Sequence, residues 1–478
     1  MQINAFLLSK KINENLFQER KKMKVVVVGA NHAGTSFIRT FKQLNKTDEL
    51  VVYDRNTNTS FLGCGIALWV GGEFKSPEGL FYSSPEKLAK LGAKVHLEKE
   101  LINVDYKTKT LTFKDLQTNK EFTDTYDKLV FSLGTSPIVP PFKGIDYKNI
   151  IVSKLFQHAE EIFKKAESKE VKNVVVIGAG YIGVELAEAF IKHGKNTTLV
   201  DLQERVIPNY FDEEFTSKME DSMRKHGLKV QLGEKVQEFQ SKDGTNVSAV
   251  VTDKGTYEAD LVILAIGFRP NAQFLNFDKT VNGALKVSPR QNVLLDGQEV
   301  KEIYAIGDSA AMIHNVTNQH QHVALATNAV KTGVIAALDM VGQGIDFPGV
   351  TGTNAISVFG CHYSSTGMTE KSAKNFGINA VSTEYFEDFD RPEFMNDKSK
   401  VGFKVTYEKR TLRLLGAQVG SWSDHIHTEV IYAFSLAIQQ GLTLPQLALM
   451  DVYFLPHFNK PFNFMLTPIL KALGINYE

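Results

Sequence analysis

The sequence predicts an α/β protein: two doubly wound nucleotide-binding domains, one inserted in the other, followed by a C-terminal α+β domain. Three observations point there. KVVVVGANHAGTSFIRTF (24–41) and NVVVIGAGYIGVELAEAF (173–190) repeat one plan, a continuous β-branched run, a glycine turn and a helical pattern. Apolar runs of that kind suit strands buried on both faces of a parallel sheet. Each unit has a second matching piece, since Asp127, Gly134 and Pro137 in DKLVFSLGTSP share the spacing of Asp260, Gly267 and Pro270 in DLVILAIGFRP. Finally, EIYAIGDSAA (302–311) follows the close of the second unit, yet has the strand-then-Gly-Asp form of a cofactor turn. That makes the second unit an insertion in the first.

Along the chain this gives an extension over 1–22 and a first domain split between 23–148 and 272–346. The inserted domain covers 149–271 and the C-terminal domain 347–478. Residues 1–22 carry an apolar run of only Ala5 to Leu8, too short for a secretory signal, so they read as an appended segment or as sequence ahead of the true start at Met23. From Gly349 the pattern changes to short alternating runs, NAISVF and GFKVTYE, and then to helices from His425. The chain balances 54 basic against 54 acidic side chains, which gives no electrostatic reason to expect nucleic acid or an anionic membrane as partner. No apolar run approaches the roughly 18 residues of a membrane span. Two distant cysteines, Cys64 and Cys361, make no disulfide framework and suit a reducing cytoplasmic setting.

In the second unit, Gly178, Gly180 and Gly183 form a complete G-x-G-x-x-G turn ahead of a helix. Such a turn brings backbone N–H groups to a pyrophosphate, and the helix N-terminus stabilises its charge. Asp201 ends the next strand, where a carboxylate can accept ribose hydroxyls and repel the extra phosphate of NADP; Arg205 nearby pulls the other way. The first unit is altered, with Asn31 between Gly29 and Gly34 where a middle glycine is expected, while Asp54 closes LVVYD as Asp201 closes TTLVD. Two such Rossmann-like sites in one chain suggest FAD in the split domain, with Asp308 as a further contact, and NAD in the inserted one.

Cys64 lies between Gly63 and Gly65 in SFLGCGIALWVGG, ahead of an apolar run able to start a helix. A helix N-terminus favours the thiolate. The glycines let the backbone approach a flat ring. With no second cysteine nearby, the thiol suits attack on a peroxide O–O bond, giving a sulfenic acid, or a mixed disulfide with a small thiol; an inert buried cysteine is the plain alternative. His32, in the first turn, could donate a hydrogen bond or move a proton, or simply face solvent. Tyr181 could gate the flavin or cover its own turn. Cys361 reads as a packed strand residue. His425 and His427, with no carboxyl cluster beyond Asp424, read as structural and not as metal ligands.

From Met23 onward the chain resembles the single-cysteine pyridine nucleotide–disulfide oxidoreductases, and most closely the water-forming NADH oxidases among them. GANHAGT, SFLGCGIALWVGG, IGAGYIGVELAEAF, YAIGDSA, VALATNAVKTG and FLPHFNKPFNF carry the resemblance. It implies FAD, NADH and a homodimer formed through the C-terminal domain. Cys64 would cycle between thiolate and sulfenic acid beside His32, and O2 would be reduced to two waters by two NADH. By the same resemblance Asp54, Thr135, Asp308 and Leu325, Ala326 and Thr327 contact FAD. Tyr181, Asp201, Tyr210 and Gly267 contact NAD, and His457 to Phe464 reach the partner's flavin site. Gly63 stands where relatives often have serine, and Asp54 where many have glutamate. Phe458 departs from the tyrosine typical of CoA-disulfide reductases. NADH peroxidase and CoA-disulfide reductase chemistry on the same cysteine remain open, as does a low-turnover redox sensor.

Overall fold

The computed structural model describes residues 22–476. The extension read over 1–22 lies outside them, Lys22 excepted. The first sheet has six strands, in the order Asn292–Leu295, Gln298–Ala305, Lys128–Phe131, Lys24–Val28, Glu49–Tyr53 and Ala93–His96. Lys24–Val28 is central and parallel to both neighbours. Val25, Val26 and Val27 are fully buried, because helices cover one face and aromatic residues such as Phe113 and Phe131 pack on the other. The late strand Gln298–Ala305 runs parallel to Lys128–Phe131 and carries the chain back into this sheet after the insertion.

The second sheet is parallel throughout, in the order Lys229–Leu232, Asn196–Asp201, Asn173–Ile177, Leu261–Leu264 and Ile150–Val152. The repeat seen in the sequence is therefore a repeat of fold: each unit places a glycine turn and a long helix after its central strand. The C-terminal sheet is antiparallel, with strands Asn354–Val358, Cys361–Gly367, Leu414–Ser421, Lys400–Glu408 and Val381–Phe389 in that order. Its first hairpin turns on Phe359 and Gly360, both at positive φ (48° and 72°), the geometry a two-residue loop needs to match strand twist. Helix Ile431–Gln439 packs on the sheet through Phe434 against Phe403. No described helix is long and apolar enough to cross a membrane.

The Cys64 segment belongs to the first unit in sequence but packs on the inserted one. Residues Gly63–Gly65 form a 3-10 turn, and Ile66–Val70 a five-residue helix that stops at Gly71. Trp69 stacks on Phe163 with centroids 4.7 Å apart, and His193 Nε2 is 2.6 Å from the Val70 carbonyl. The cysteine is thereby pinned at the junction of the two nucleotide units.

Candidate functional site

Each glycine turn is dictated by backbone crowding. Gly29 has φ 101°, and a Cβ there would lie 2.0 Å from the Ser132 carbonyl oxygen; one on Gly34 would lie 1.9 Å from the Gly29 carbonyl. The second turn repeats this, with Gly178 at φ 109° against Ala265 and Gly183 against the Gly178 carbonyl. Gly180, by contrast, faces open space, which leaves room for a ligand to approach the backbone. The acids after the next strands have matching roles. Asp54 is buried and accepts from the Ala30 N–H (2.7 Å) and from Asn56 (2.8 and 3.0 Å). Burial pushes its carboxyl up, and those bonds only partly offset it. Asp201 accepts from the Ala179 N–H (2.5 Å) and the Gln203 N–H (2.6 Å). Both acids therefore hold their turns; each Asp201 oxygen and Asp54 Oδ2 keep a second lone pair, whereas Asp54 Oδ1 already accepts twice from Asn56.

Three long helices open with bare donors. His32–Leu44 starts after Asn31, Tyr181–Lys192 after Gly180 and Ala326–Met340 after Leu325, each without a side-chain cap and without an acid in its first turn. Elsewhere Ser84 and Thr369 cap helix starts in the ordinary way. Uncapped amides and the positive dipole end suit an anion. Beside them, Asn328 Nδ2 in the first turn of Ala326–Met340 and Thr59 Oγ1 are buried without partners. Two bare helix ends, the Gly29 and Gly34 cradle and these orphaned donors fit a dinucleotide at the first turn.

At the second turn Tyr181 stacks on Tyr210, centroids 4.6 Å apart, and its hydroxyl bonds Asn354 of the C-terminal sheet. Gly267, at φ 114°, receives the Ile138 N–H on its carbonyl. The Arg205 guanidinium donates to Thr216 Oγ1 (3.2 Å) and to the Phe211 carbonyl (3.5 Å). Both bonds leave from Nη1 and tie the guanidinium to its own loop and to the helix Glu213–Lys225 that follows.

Around the cysteine, Lys154 is the common element. Its ammonium donates to Thr135 Oγ1 (2.9 Å), pairs with Asp308 at 3.5 Å and lies 4.6 Å from the Phe268 ring centroid. Its carbonyl oxygen would be 3.5 Å from a Cβ on Gly63. Thr135 and Asp308 are themselves 3.5 Å apart. Cys64 opens on solvent, yet the protein packed around it and the Glu185 carboxylate push its thiol up; Lys154 opposes and Asp308 adds to the rise. The thiolate expected from a helix N-terminus meets opposing effects here: the helix behind Cys64 is five residues long, and Asp308 together with Glu185, a carboxylate absent from the sequence reading, acts on the sulfur. Gly65 also has a packing reason. A Cβ there would lie 2.3 Å from Leu80 Cδ2, so packing on Leu80 requires the glycine.

His32 feels the same two charges as Cys64. Burial pulls its imidazole down, with Asp308 opposing and Lys154 assisting. Its Nδ1 is 3.1 Å from the Tyr82 hydroxyl. The Glu185 carboxyl, on helix Tyr181–Lys192, is pushed up to about 7 by burial and by Glu188. Lys154, Glu185 and Tyr82 escaped sequence reasoning, because each lies in an ordinary helix or loop pattern and only the fold brings it to the cysteine.

Elsewhere, Cys361 is buried in its strand. His425 Nδ1 and His427 Nε2 both meet one carboxylate oxygen of Asp390, at 2.8 and 3.1 Å. The sequence reading found no carboxylate near these histidines beyond Asp424; Asp390 arrives from the end of a neighbouring strand.

The pyridine nucleotide-disulphide oxidoreductase family model matches residues 23–333, and the dimerisation-domain model of that family matches residues 354–464. An NADH oxidase of Mycoplasma pneumoniae is 44% identical over 95% of this chain and 98% of its own length. One of Streptococcus pyogenes is 44% identical over 94% of this chain and 99% of its own. Among solved structures, a water-forming NADH oxidase from Lactobacillus brevis bound to NADH is similar at TM-score 0.90 and 38% identity, covering 95% of this chain and 98% of that one.

Proposed function

This chain belongs to the pyridine nucleotide–disulphide oxidoreductase family, and we propose that it is an FAD-dependent NADH oxidase reducing O2 to water through Cys64. The observation that carries this reading is the placement of one solvent-open thiol at the junction of two nucleotide turns, with the other cysteine buried in a distant strand. A thiol so placed cannot form an internal disulfide, so its redox chemistry must pass through a single sulfur.

FAD would be held at Gly29, Asn31 and Gly34, by Asp54 and Thr135, by Asp308, and at the Leu325, Ala326 and Thr327 helix start. NADH would be held at Gly178, Gly180 and Gly183, by Asp201 and Gly267, under the Tyr181 and Tyr210 pair. When bound, the flavin accepts hydride from NADH and supplies electrons to oxygen and sulfur. The protein's own work centres on Cys64. Its sulfur attacks an O–O bond; an S–O bond forms, the sulfur loses two electrons, and hydroxide leaves and takes a proton to become water. Two further electrons from NADH return the sulfenic acid to thiolate with release of a second water. Lys154 is the cation that favours the thiolate, and His32 is the group placed to handle the proton.

The exposed aromatic and leucine side chains of Tyr432, Leu436, Leu449, Tyr453, Phe458 and Phe462 make the C-terminal domain the natural homodimer face; within His457 to Phe464, Phe458 and Phe462 would reach a partner while Asn459, Asn463 and Phe464 are buried in their own domain. Two free thiols and the absence of a spanning helix among the described residues fit the cytosol. Cys64→Ser tests the reading. An oxidase should keep consuming O2 with NADH but release hydrogen peroxide. A peroxidase or CoA-disulfide reductase should lose its turnover, and a redox sensor should show none to lose.

A further inference from the structure

His32 begins its helix with its two ring nitrogens in different settings. Nδ1 lies 3.1 Å from the Tyr82 hydroxyl, and the two rings stack with centroids 5.5 Å apart and planes 10° from parallel. Among the described residues, Nε2 makes no hydrogen bond to protein. The charged groups facing the ring are Lys154, following strand Ile150–Val152, and Asp308 in the turn Gly307–Ser309; Arg39, on the ring's own helix, acts on Tyr82. Burial pulls the imidazole down from its ordinary value, which favours the neutral ring. Burial likewise pushes the Tyr82 phenol up to about 12, with Thr35 and Arg39 opposing, so the phenol keeps a proton that it can donate. Tyr82 is also 38% exposed, so its side chain borders bulk water.

A neutral imidazole cannot release its N–H unless the other nitrogen gains a proton in the same step, since an imidazolate would otherwise form. We propose that Tyr82 is a positioning residue whose hydroxyl donates to His32 Nδ1, fixes the Nε2–H tautomer, and refills the ring from solvent as Nε2–H protonates the hydroxide leaving during Cys64 oxidation. The inference rests on the single-sulfur chemistry proposed above. In that step the S–O bond forms and the O–O bond breaks, with sulfur oxidised and peroxide reduced by two electrons. The Nε2 proton goes to hydroxide, the phenolic proton to Nδ1, and a solvent proton to the Tyr82 oxygen. Between turnovers the ring returns to the Nε2–H form by exchange with solvent.

Anaerobic turnover of hydrogen peroxide with NADH isolates the Cys64 step. Tyr82→Phe keeps the ring stack and removes the donor; bound FAD, read from its absorbance, confirms folding. Loss of one such hydrogen bond should slow the step roughly three- to tenfold at pH 8. The deficit should shrink as pH falls and the imidazolium, which carries its own second proton, becomes populated. A deficit that is constant with pH, or none at all, overturns the proposal. His32→Ala separates the two levels. If it matches the wild type, the role of His32 itself falls; if it is slowed while Tyr82→Phe is not, only the Tyr82 relay falls. Nitrogen-15 shifts of histidine-labelled protein, with His32 assigned by its loss in His32→Ala, give a readout independent of turnover. Nε2–H in the wild type and a tautomer mixture in Tyr82→Phe are expected; Nδ1–H in the wild type overturns the proposal.

Discussion

The two glycines that flank Cys64 should respond unequally to the same substitution. In Gly65→Ala the new methyl would sit 2.3 Å from Leu80 Cδ2, against an ordinary carbon–carbon contact of about 3.5–4 Å. Leu80 is 2% exposed and packed with Phe61, Trp69 and Val70, so it has little room to retreat. Overpacking of that kind costs about 1–3 kcal/mol. For a cooperative unit of this size, that corresponds to a melting temperature lower by roughly 2–10 °C. The effect should reach the sulfur as well, because the Leu80 carbonyl receives the Leu62 N–H at 2.7 Å and so anchors the turn carrying Cys64. In Gly63→Ala the nearest atom is the Lys154 carbonyl oxygen at 3.5 Å, an ordinary contact, and the change should stay within about 0.5 kcal/mol. Calorimetry of the FAD-loaded variants, with peroxide release per NADH as a second readout, decides the matter. Gly65→Ala should melt early and leak peroxide; Gly63→Ala should do neither. Equal melting temperatures for the two variants would refute the packing argument.

Glu185→Gln removes a carboxylate that disfavours the Cys64 thiolate, so alkylation of Cys64 by iodoacetamide at pH 8 should accelerate roughly threefold, with buried Cys361 silent; an unchanged or slower rate would count against the electrostatics described. The sign also fixes a stability trend. The Glu185 carboxyl rises from 4.5 unfolded to about 7 folded, so its contribution is fully present below pH 4.5 and is lost as pH rises through 7. Urea midpoints at pH 5 and pH 8 should therefore differ less in Glu185→Gln than in the wild type, whereas parallel shifts would contradict this. Asp201→Ala should raise KM for NADH roughly tenfold and narrow the preference over NADPH, measured by initial rates with each; an unchanged preference would place specificity elsewhere. Asp390 has a wholly buried side chain; burial alone would raise its carboxyl, but bonds from His427, the Ser399 N–H and His425 hold it at about 2. Its contribution is present above pH 3.8 and is lost as pH falls through 2, and Asp390→Asn should cost about 1–3 kcal/mol at pH 7 by urea unfolding.

The parts of this molecule that the sequence makes legible are those written locally. Glycines crowded by their own turn, a strand ending in Asp54 or Asp201, and an uncapped helix start occupy neighbouring positions, so their spacing carries the geometry. The repeated spacing of Asp127 with Gly134 and Asp260 with Gly267 likewise reveals the second half of each unit. The immediate surroundings of Cys64 are not written that way. Lys154, Glu185, Leu80 and Tyr82 reach the cysteine or its histidine from separate strands, helices and loops, and each fits its own element without any irregularity that would draw notice. The same holds for Asp390, whose meeting with His425 and His427 depends on strand order in an antiparallel sheet. Pattern reasoning consequently set the thiol after the first glycine turn but left out Lys154 and Glu185, the charges that only the fold brings to it.

The central claim is tested most directly by the stoichiometry of the FAD-loaded wild-type protein, followed with an oxygen electrode and a peroxide assay. Two NADH consumed per O2 with no free hydrogen peroxide is the result the account predicts. One NADH per O2 with equimolar peroxide, or NADH consumption that begins only when peroxide or CoA disulfide is added, would contradict it.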